Sequence, residues 1–406
     1  MSAPVRRSSA TTIVLGTLAI AAICCPRGAT AQLDLTGYAL GVGSYSGESD
    51  LVPSGSSWFG RGRLMAQYDR SPFAVDLAYE HVLQRQPAGG GFGITNPGGQ
   101  RVNTDWLPLD WTIHEGDQGS WRHRFDRAAV QLSEGPVEVT VGRQAISWAT
   151  TLFLTPADPF APFDPSDPFR EYRGGVDAVR VRAFSGPFTE FEAVVRPADT
   201  PDGTTMTALG RVATSRGGWA IGSWAGILHD ELAAALFTTG ALGATSVRTE
   251  VALREDPGNG ALLRASLGLD RFYQPGGKDL YALVEVQYDG FGATTPDELI
   301  NVALSPAYAR GDLQVLGQWT AATQVSWSFH PLVTADALAL VNLGDGSTLF
   351  APGLTWSTTG SASTRLGTFF GFGADTTVGA PGSIPTLGSE YGSVPPLGYL
   401  SVSLYF

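Results

Sequence analysis

The sequence predicts an all-β chain: a closed antiparallel transmembrane β-barrel of 16–18 strands, about 18, with short periplasmic turns and longer extracellular loops. Three observations predict it. Apolar and polar residues alternate with a period of two along most of the chain. The connections between alternating segments are short and long by turns. The last segment alternates to its final residue, Phe406.

The alternation is plainest over Leu280 to Asp289. Leu280, Ala282, Val284, Val286 and Tyr288 share one face; Tyr281, Leu283, Glu285, Gln287 and Asp289 share the other. From Phe73 to Glu80, Phe73, Val75, Leu77 and Tyr79 alternate with Ala74, Asp76, Ala78 and Glu80. Between Thr245 and Arg254, Val247, Thr249, Val251 and Leu253 oppose Ser246, Arg248, Glu250, Ala252 and Arg254. In 261–270, Leu263, Ala265, Leu267 and Leu269 oppose Arg264, Ser266 and Asp270. Segments 298–318 and 333–360 alternate poorly, so the strand count is soft by about two. After residue 31 no window holds the 18 or more apolar residues that a transmembrane helix needs.

The connections separate a membrane barrel from a soluble sheet. Short turns fall at Arg70 to Pro72, Glu134 to Pro136, Gly186-Pro187, Arg216 to Gly218, Leu242 to Ala244, Gln274 to Lys278, His330 to Leu332 and Thr358 to Ala362. Longer polar or Gly/Pro-rich stretches fall between them, at 47–57, 86–119, 148–174, 291–312 and 374–396. Three interleaved connections, near 199–203, 229–231 and 256–260, are brief. That parity is the layout of an outer-membrane barrel. With 18 strands, each strand and its connection take about 21 residues, enough for a tilted crossing plus a loop.

Composition agrees. Charged residues make up 16 % and aromatics 10 % of 406 residues, with 51 glycines and one lysine, Lys278. A net charge of −12 excludes the basic surface that a nucleic-acid binder needs. Residues 1–31 read as a cleaved secretory signal peptide: Arg6 and Arg7, an apolar run from Thr12 to Cys25, then Ala29-Thr-Ala31. A lipoprotein signal using Cys24 or Cys25 is the other layout, disfavoured by Ile23 and Cys24 as preceding residues. Cleavage after Ala31 removes both cysteines and three arginines, leaving 23 basic against 38 acidic side chains on residues 32–406. This mature part reads as one barrel domain, without disulfides to staple it.

The terminal strand puts Leu400, Val402, Leu404 and Phe406 on one face and Tyr399, Ser401, Ser403 and Tyr405 on the other. It resembles the assembly signal of Gram-negative outer-membrane barrels, with Phe406 as its key residue. The resemblance implies outer-membrane localisation, lipid around the barrel, the barrel-assembly machinery as partner and, as one option, a homotrimer.

A barrel of this size is wide enough for an aqueous lumen. Channel-lining candidates are Arg61, Arg63, Arg143, Arg180, Arg182 and Arg196 with Glu80, Glu138, Glu190 and Glu192. Two readings stand: a salt-bridge lattice stiffening the wall, or a cationic ladder for anionic or polyhydroxylated solutes. Arg122, Arg124 and Arg127 surround Asp126 where alternation slips, so their faces stay unassigned. Within 148–174, prolines recur at 156, 159, 162, 165 and 168. As polyproline II the 13 residues 156–168 would span on the order of 40 Å, with Asp158, Asp164 and Asp167 along one edge. This is the third outward loop, and Asp158, Asp164, Asp167, Arg170 and Arg173 are its constriction candidates. A surface loop is the alternative; a calcium site on the three aspartates lacks the glycine-turned loop such sites use.

The block from Val141-Gly-Arg-Gln144 through Trp148 to Gly175-Val-Asp-Ala-Val-Arg180 resembles outer-membrane porin-like and alginate-export-like barrels. In those families such a strand leads into a long loop and then a strand with an inward arginine. The resemblance implies a channel for small hydrophilic solutes, or alternatively an exporter of an acidic or polyhydroxylated polymer. Alginate exporters imply a strongly basic pore, and one lysine with many lumenal acids speaks against a polyanion. Five scattered histidines give little support to catalysis; His114 beside Glu115 and Asp117 is the nearest to an acid–base group. No cofactor motif and no metal-ligand cluster is apparent, and no catalytic residues are assigned.

Overall fold

The computed structural model describes residues 32–51, 53–85, 103–160, 169, 171–200, 203–379 and 384–406. Residues 1–31, expected from the sequence to be a signal peptide, and Asp164, Asp167 and Arg170 lie outside the described residues. The strands are β1 (Gln32–Ser46), β2 (Gly55–Arg70), β3 (Phe73–Arg85), β4 (Asp110–Gly116), β5 (Gly119–Glu134), β6 (Val137–Gln144) and β7 (Val176–Ser185). They continue with β8 (Thr189–Thr200), β9 (Gly203–Arg216), β10 (Trp219–Leu228), β11 (Glu231–Leu242), β12 (Thr245–Asp256) and β13 (Gly260–Tyr273). The last six are β14 (Asp279–Asp289), β15 (Trp319–His330), β16 (Val333–Asn342), β17 (Thr348–Thr359), β18 (Ala362–Phe372) and β19 (Leu397–Tyr405).

Eighteen of these strands close a ring, each pairing antiparallel with its neighbours in sequence and β19 returning to β1. Closure leaves no open backbone edge, the condition for a sheet in lipid. At the seam Gly37 and Phe406 exchange backbone hydrogen bonds of 2.8 and 3.0 Å. The Phe406 ring lies over Gly37, where any side chain would collide with it.

Side-chain direction follows the alternation. Leu400, Val402, Leu404 and Phe406 are exposed on the exterior, while Tyr399, Ser401 and Ser403 are buried on the inner face. Exterior aromatics gather at two levels: Phe73, Tyr273, Trp327 and Trp356 near the short turns, and Tyr45, Trp58, Trp121, Trp319 and Phe372 near the long loops. Two aromatic girdles flanking an apolar band mark a lipid-spanning wall.

The structure differs from the sequence reading in three places. The long connection after β3 contains a strand of its own, β4, which pairs only with the outer part of β5. β5 continues past the level where β6 ends, and β4 occupies that edge. The poorly alternating stretch 298–318 holds two short helices, α1 (Leu299–Ala303) and α2 (Pro306–Ala309), instead of a strand. Their apolar side chains Leu299, Ala303 and Tyr308 pack with Leu313, Leu316 and Leu387 into a small core at the long-loop end. The other poor segment splits into β16 and β17 around a turn at 343–347.

Candidate functional site

The inner face of β2, β3 and β5 carries a dense charge cluster. A bulge opposite Ala78 and Tyr79 breaks the register of β5, so Arg124, Asp126 and Arg127 all turn inward. This is why alternation slips there. Arg63 pairs with both Glu80 and, at 2.8 Å, Asp126. Arg124 reaches Glu80 at 3.0 Å and Asp126 at 3.3 Å, and Arg127 binds Asp126 at 2.6 Å. Three guanidinium groups thus share two carboxylates.

The next pairs follow round the ring. Arg180 on β7 binds Glu192 on β8 at 2.6 Å, and Arg182 pairs with Glu138 on β6. Arg211 on β9, absent from the sequence candidates, bridges Glu192 at 3.4 Å and Glu190 at 3.8 Å. Arg248–Asp270, Arg264–Asp289 and Arg365–Asp336 extend the lattice to the far side. These later pairs lie on the inward parity of β12, β13, β14, β16 and β18, so the alternation already carried the signal for them.

Arg143 is a correction. It does not face open lumen: it is 1 % exposed. Its guanidinium binds Asp177 at 2.8 Å and Asp105 at 3.0 Å, and donates to the carbonyls of Leu107 and Phe125. Gly142, at φ 116°, is the irregular point on β6 just before it. Arg61 and Arg196 differ from the rest in having no carboxylate within ion-pair distance among the described residues. Arg61 donates to the Phe169 carbonyl at 2.9 Å and lies 5.0 Å from the Phe59 ring centre. Arg196 is 3 % exposed, donates to the Thr104 hydroxyl at 2.8 Å and leaves its Nε without a partner.

The connection between β6 and β7 makes contacts with several strands. Glu250 on β12 accepts hydrogen bonds from the backbone N–H groups of Thr150, Thr151 (2.9 Å) and Ala157 (3.0 Å). Glu285 on β14 accepts from Leu152 (2.6 Å), Phe153 (2.8 Å) and Leu154 (2.9 Å). Thr155 donates to Gln314 at 2.7 Å. The Trp224 indole of β10 donates to the Ala157 carbonyl at 2.9 Å. At the other end Phe169 packs edge-on to Tyr399 of β19, Tyr172 stacks on Tyr38 of β1, and Tyr405 donates to Glu171 at 2.8 Å. Sequence placed Glu250 and Glu285 on the polar face but could not say what they bind.

Three further expectations change here. Residues 155–158 form a hydrogen-bonded turn from the Asp158 N–H to the Thr155 carbonyl at 3.1 Å, not polyproline II. Proline at 156 suits that turn as well as an extended chain. Asp158 is no open carboxylate facing the wall: it pairs with Arg173 of the same connection and accepts from Ser147 at 2.9 Å. In the β3–β5 connection Glu115 pairs with Arg122 at 3.4 Å instead of with His114.

The long-loop end carries strongly perturbed groups. Burial pushes Glu390 up to about 7, against backbone donors from Leu316 and Gly317. Burial lowers His229 to about 4, opposed by Asp312. Burial would raise Asp312, but Arg254, Arg310 and His229 more than reverse it and hold it well below the usual carboxylate range.

No family model and no curated protein matches this sequence. Solved structures do match its fold. Acinetobacter baumannii OccAB1 superposes with a TM-score of 0.57 at 9 % identity, over 93 % of this chain and 96 % of that one. A BenF-like porin from Pseudomonas fluorescens Pf-5 gives 0.54 at 12 % identity, over 93 % and 98 %. Pseudomonas aeruginosa OpdK with vanillate gives 0.50 at 11 %, over 92 % and 98 %. At these identities the likeness is one of fold: the chain is an 18-strand barrel built like outer-membrane porins.

Proposed function

We propose that this protein is an outer-membrane channel of a Gram-negative bacterium through which small hydrophilic solutes diffuse. The observation that carries the reading is the ring itself: 18 closed strands with an apolar exterior and a charged inner face. A ring of that size leaves an aqueous passage. The fold likeness to porins supports it, and one of those relatives was solved with vanillate, a small carboxylate. Residues 148–174 act as the constriction, supported by the bonds of 150–157 to inner-face acids on β12 and β14. Arg61, Arg180 and Arg182 line the path beside them, whereas Arg196, 3 % exposed, is enclosed in the same way as Arg143.

An exporter of an acidic polymer is less well supported. Most inner guanidinium groups already pair with wall carboxylates, leaving little net positive charge to draw a polyanion. The porin likeness also favours a channel over an enzyme. Residues 1–31 serve as the export signal, lipid surrounds the exterior, and Phe406 presents the terminal strand to the assembly machinery. Oligomeric assembly, including a trimer, is compatible with an uncovered apolar wall.

Planar-bilayer recording tests the reading. Purified protein is expected to give stepwise conductance, and liposomes carrying it to swell in neutral sugars. A membrane-inserted protein that gives neither overturns the channel reading. Deleting residues 156–168 is expected to raise conductance; an unchanged value would place that segment outside the path.

A further inference from the structure

Seven main-chain N–H groups between Thr150 and Ala157 all end on side-chain acceptors of other elements. Six of them converge on two carboxylates, three on Glu250 and three on Glu285. Both side chains are fully buried, at 0 % exposure. No arginine or lysine lies within ion-pair distance of either among the described residues. Most inner-wall carboxylates elsewhere, such as Glu80, Asp126 and Glu192, pair with guanidinium groups. These two instead have a run of backbone dipoles as their counter-charge.

A run of amides pointing at one spot is an anion-binding nest. Here the anion is supplied by the barrel wall. The chemistry is specific to a carboxylate: both oxygens of Glu285 accept, one from Leu152 and the other from Phe153 and Leu154. A glutamine of the same volume would turn an NH2 group toward an N–H and lose one side of the arrangement. A shortened side chain would leave a vacant nest the size of a small carboxylate.

We propose that Glu250 and Glu285 form a carboxylate latch, positioning residues that hold segment 150–157 in place and so set the width and steadiness of the pore. The nest vacated by truncating Glu285 takes a free small carboxylate such as acetate. The proposal rests on the channel reading above and specifies which groups hold its constriction.

The test is single-channel recording of wild type, Glu285→Ala and Glu285→Gln, each in chloride and then with added acetate. In chloride both variants are expected to switch between conductance levels at least about ten-fold more often than wild type, since hydrogen bonds to a charged group are the strong ones. Tens of millimolar acetate, on the order of weak anion binding, should restore steady current to Glu285→Ala. Acetate should leave Glu285→Gln unsteady, because the carboxamide fills the nest. Two steady variants, or equal acetate effects in both, overturn the latch. Should Glu285→Ala not insert, Glu250→Gln and Glu285→Gln carry the same comparison with wild type, and steady current in both overturns it. A wild type without conductance counts against the channel reading instead. The latch is then read by tryptic cleavage within 150–173 of folded protein. Faster cleavage of Glu285→Ala, slowed again by acetate, supports it; cleavage at the wild-type rate removes it.

Discussion

On the arc from β2 to β9 the inner carboxylates Glu80, Asp126, Glu138 and Glu192 pair with guanidinium groups, whereas on β12 and β14 two carboxylates face main-chain amides. The first arc is close to self-neutralising: Glu80 and Asp126 share three arginines, and Glu138 and Glu192 have their own. It nevertheless keeps Arg61 and Arg196 without a carboxylate. The second keeps Glu250 and Glu285 without a cation. What distinguishes the arcs is the partner each acid meets, since both are rich in carboxylates. An acid paired to arginine stiffens the wall, while an acid paired to amides can fix a loop.

The largest expected effect breaks the first arc. Asp126→Ala leaves Arg63 and Arg124 to share Glu80 and strips the buried Arg127 of its ion pair. Breaking a buried network this way costs about 3–5 kcal/mol. Thermal unfolding in detergent, followed by circular dichroism, should show it. A loss below about 1 kcal/mol would mean that water in the lumen solvates the cluster.

Next in size is selectivity. Arg61→Ala removes a cation with no carboxylate within ion-pair distance among the described residues, so the reversal potential in a salt gradient should move toward cations. Removing Arg182 together with Glu138 deletes a balanced pair and should move it much less. Equal shifts would erase the distinction between paired and unpaired arginines.

The smallest effect is pH dependence at the long-loop end. Glu390 has its carboxyl raised from 4.5 to about 7, so a released loop ionises before a docked one. Docking therefore weakens as pH rises from about 4.5 to 7 and stays level above. His229 has the opposite sign: lowered from 6.5 to about 4, it weakens its surroundings as pH falls through that window. Protection of the Leu316 and Gly317 amides against hydrogen exchange reads the first effect, and Glu390→Gln should abolish its slope. A slope that survives the substitution assigns the effect to another group.

Much of the barrel was legible because a strand's side chains must alternate between lipid and lumen. The eight short turns were found at their places, from Arg70 to Pro72 through to Thr358 to Ala362. Where local chemistry departs from period two, legibility failed. The β5 bulge hid the faces of Arg124, Asp126 and Arg127, and 298–318 carries helical turns in a loop. Strand β4 could not be foreseen, since Asp110–Gly116 pairs only because β6 stops short beside it. In the site, parity placed Arg180, Arg182, Glu192, Glu250 and Glu285 inward, but parity carries no distance. It could not show that Arg143 would be enclosed by Asp105 and Asp177, or that Asp158 would turn back to Arg173.

Residue pattern was enough to show that the chain alternates, turns briefly at one rim, loops widely at the other and carries Phe406 on the apolar face of its strand. Those are local properties, each set by residues within a few positions of one another. Tertiary structure alone decided which carboxylate meets a guanidinium and which meets an amide. Glu285 lies more than a hundred residues from Leu152, Phe153 and Leu154, and only closure of the ring brings them within hydrogen-bond reach.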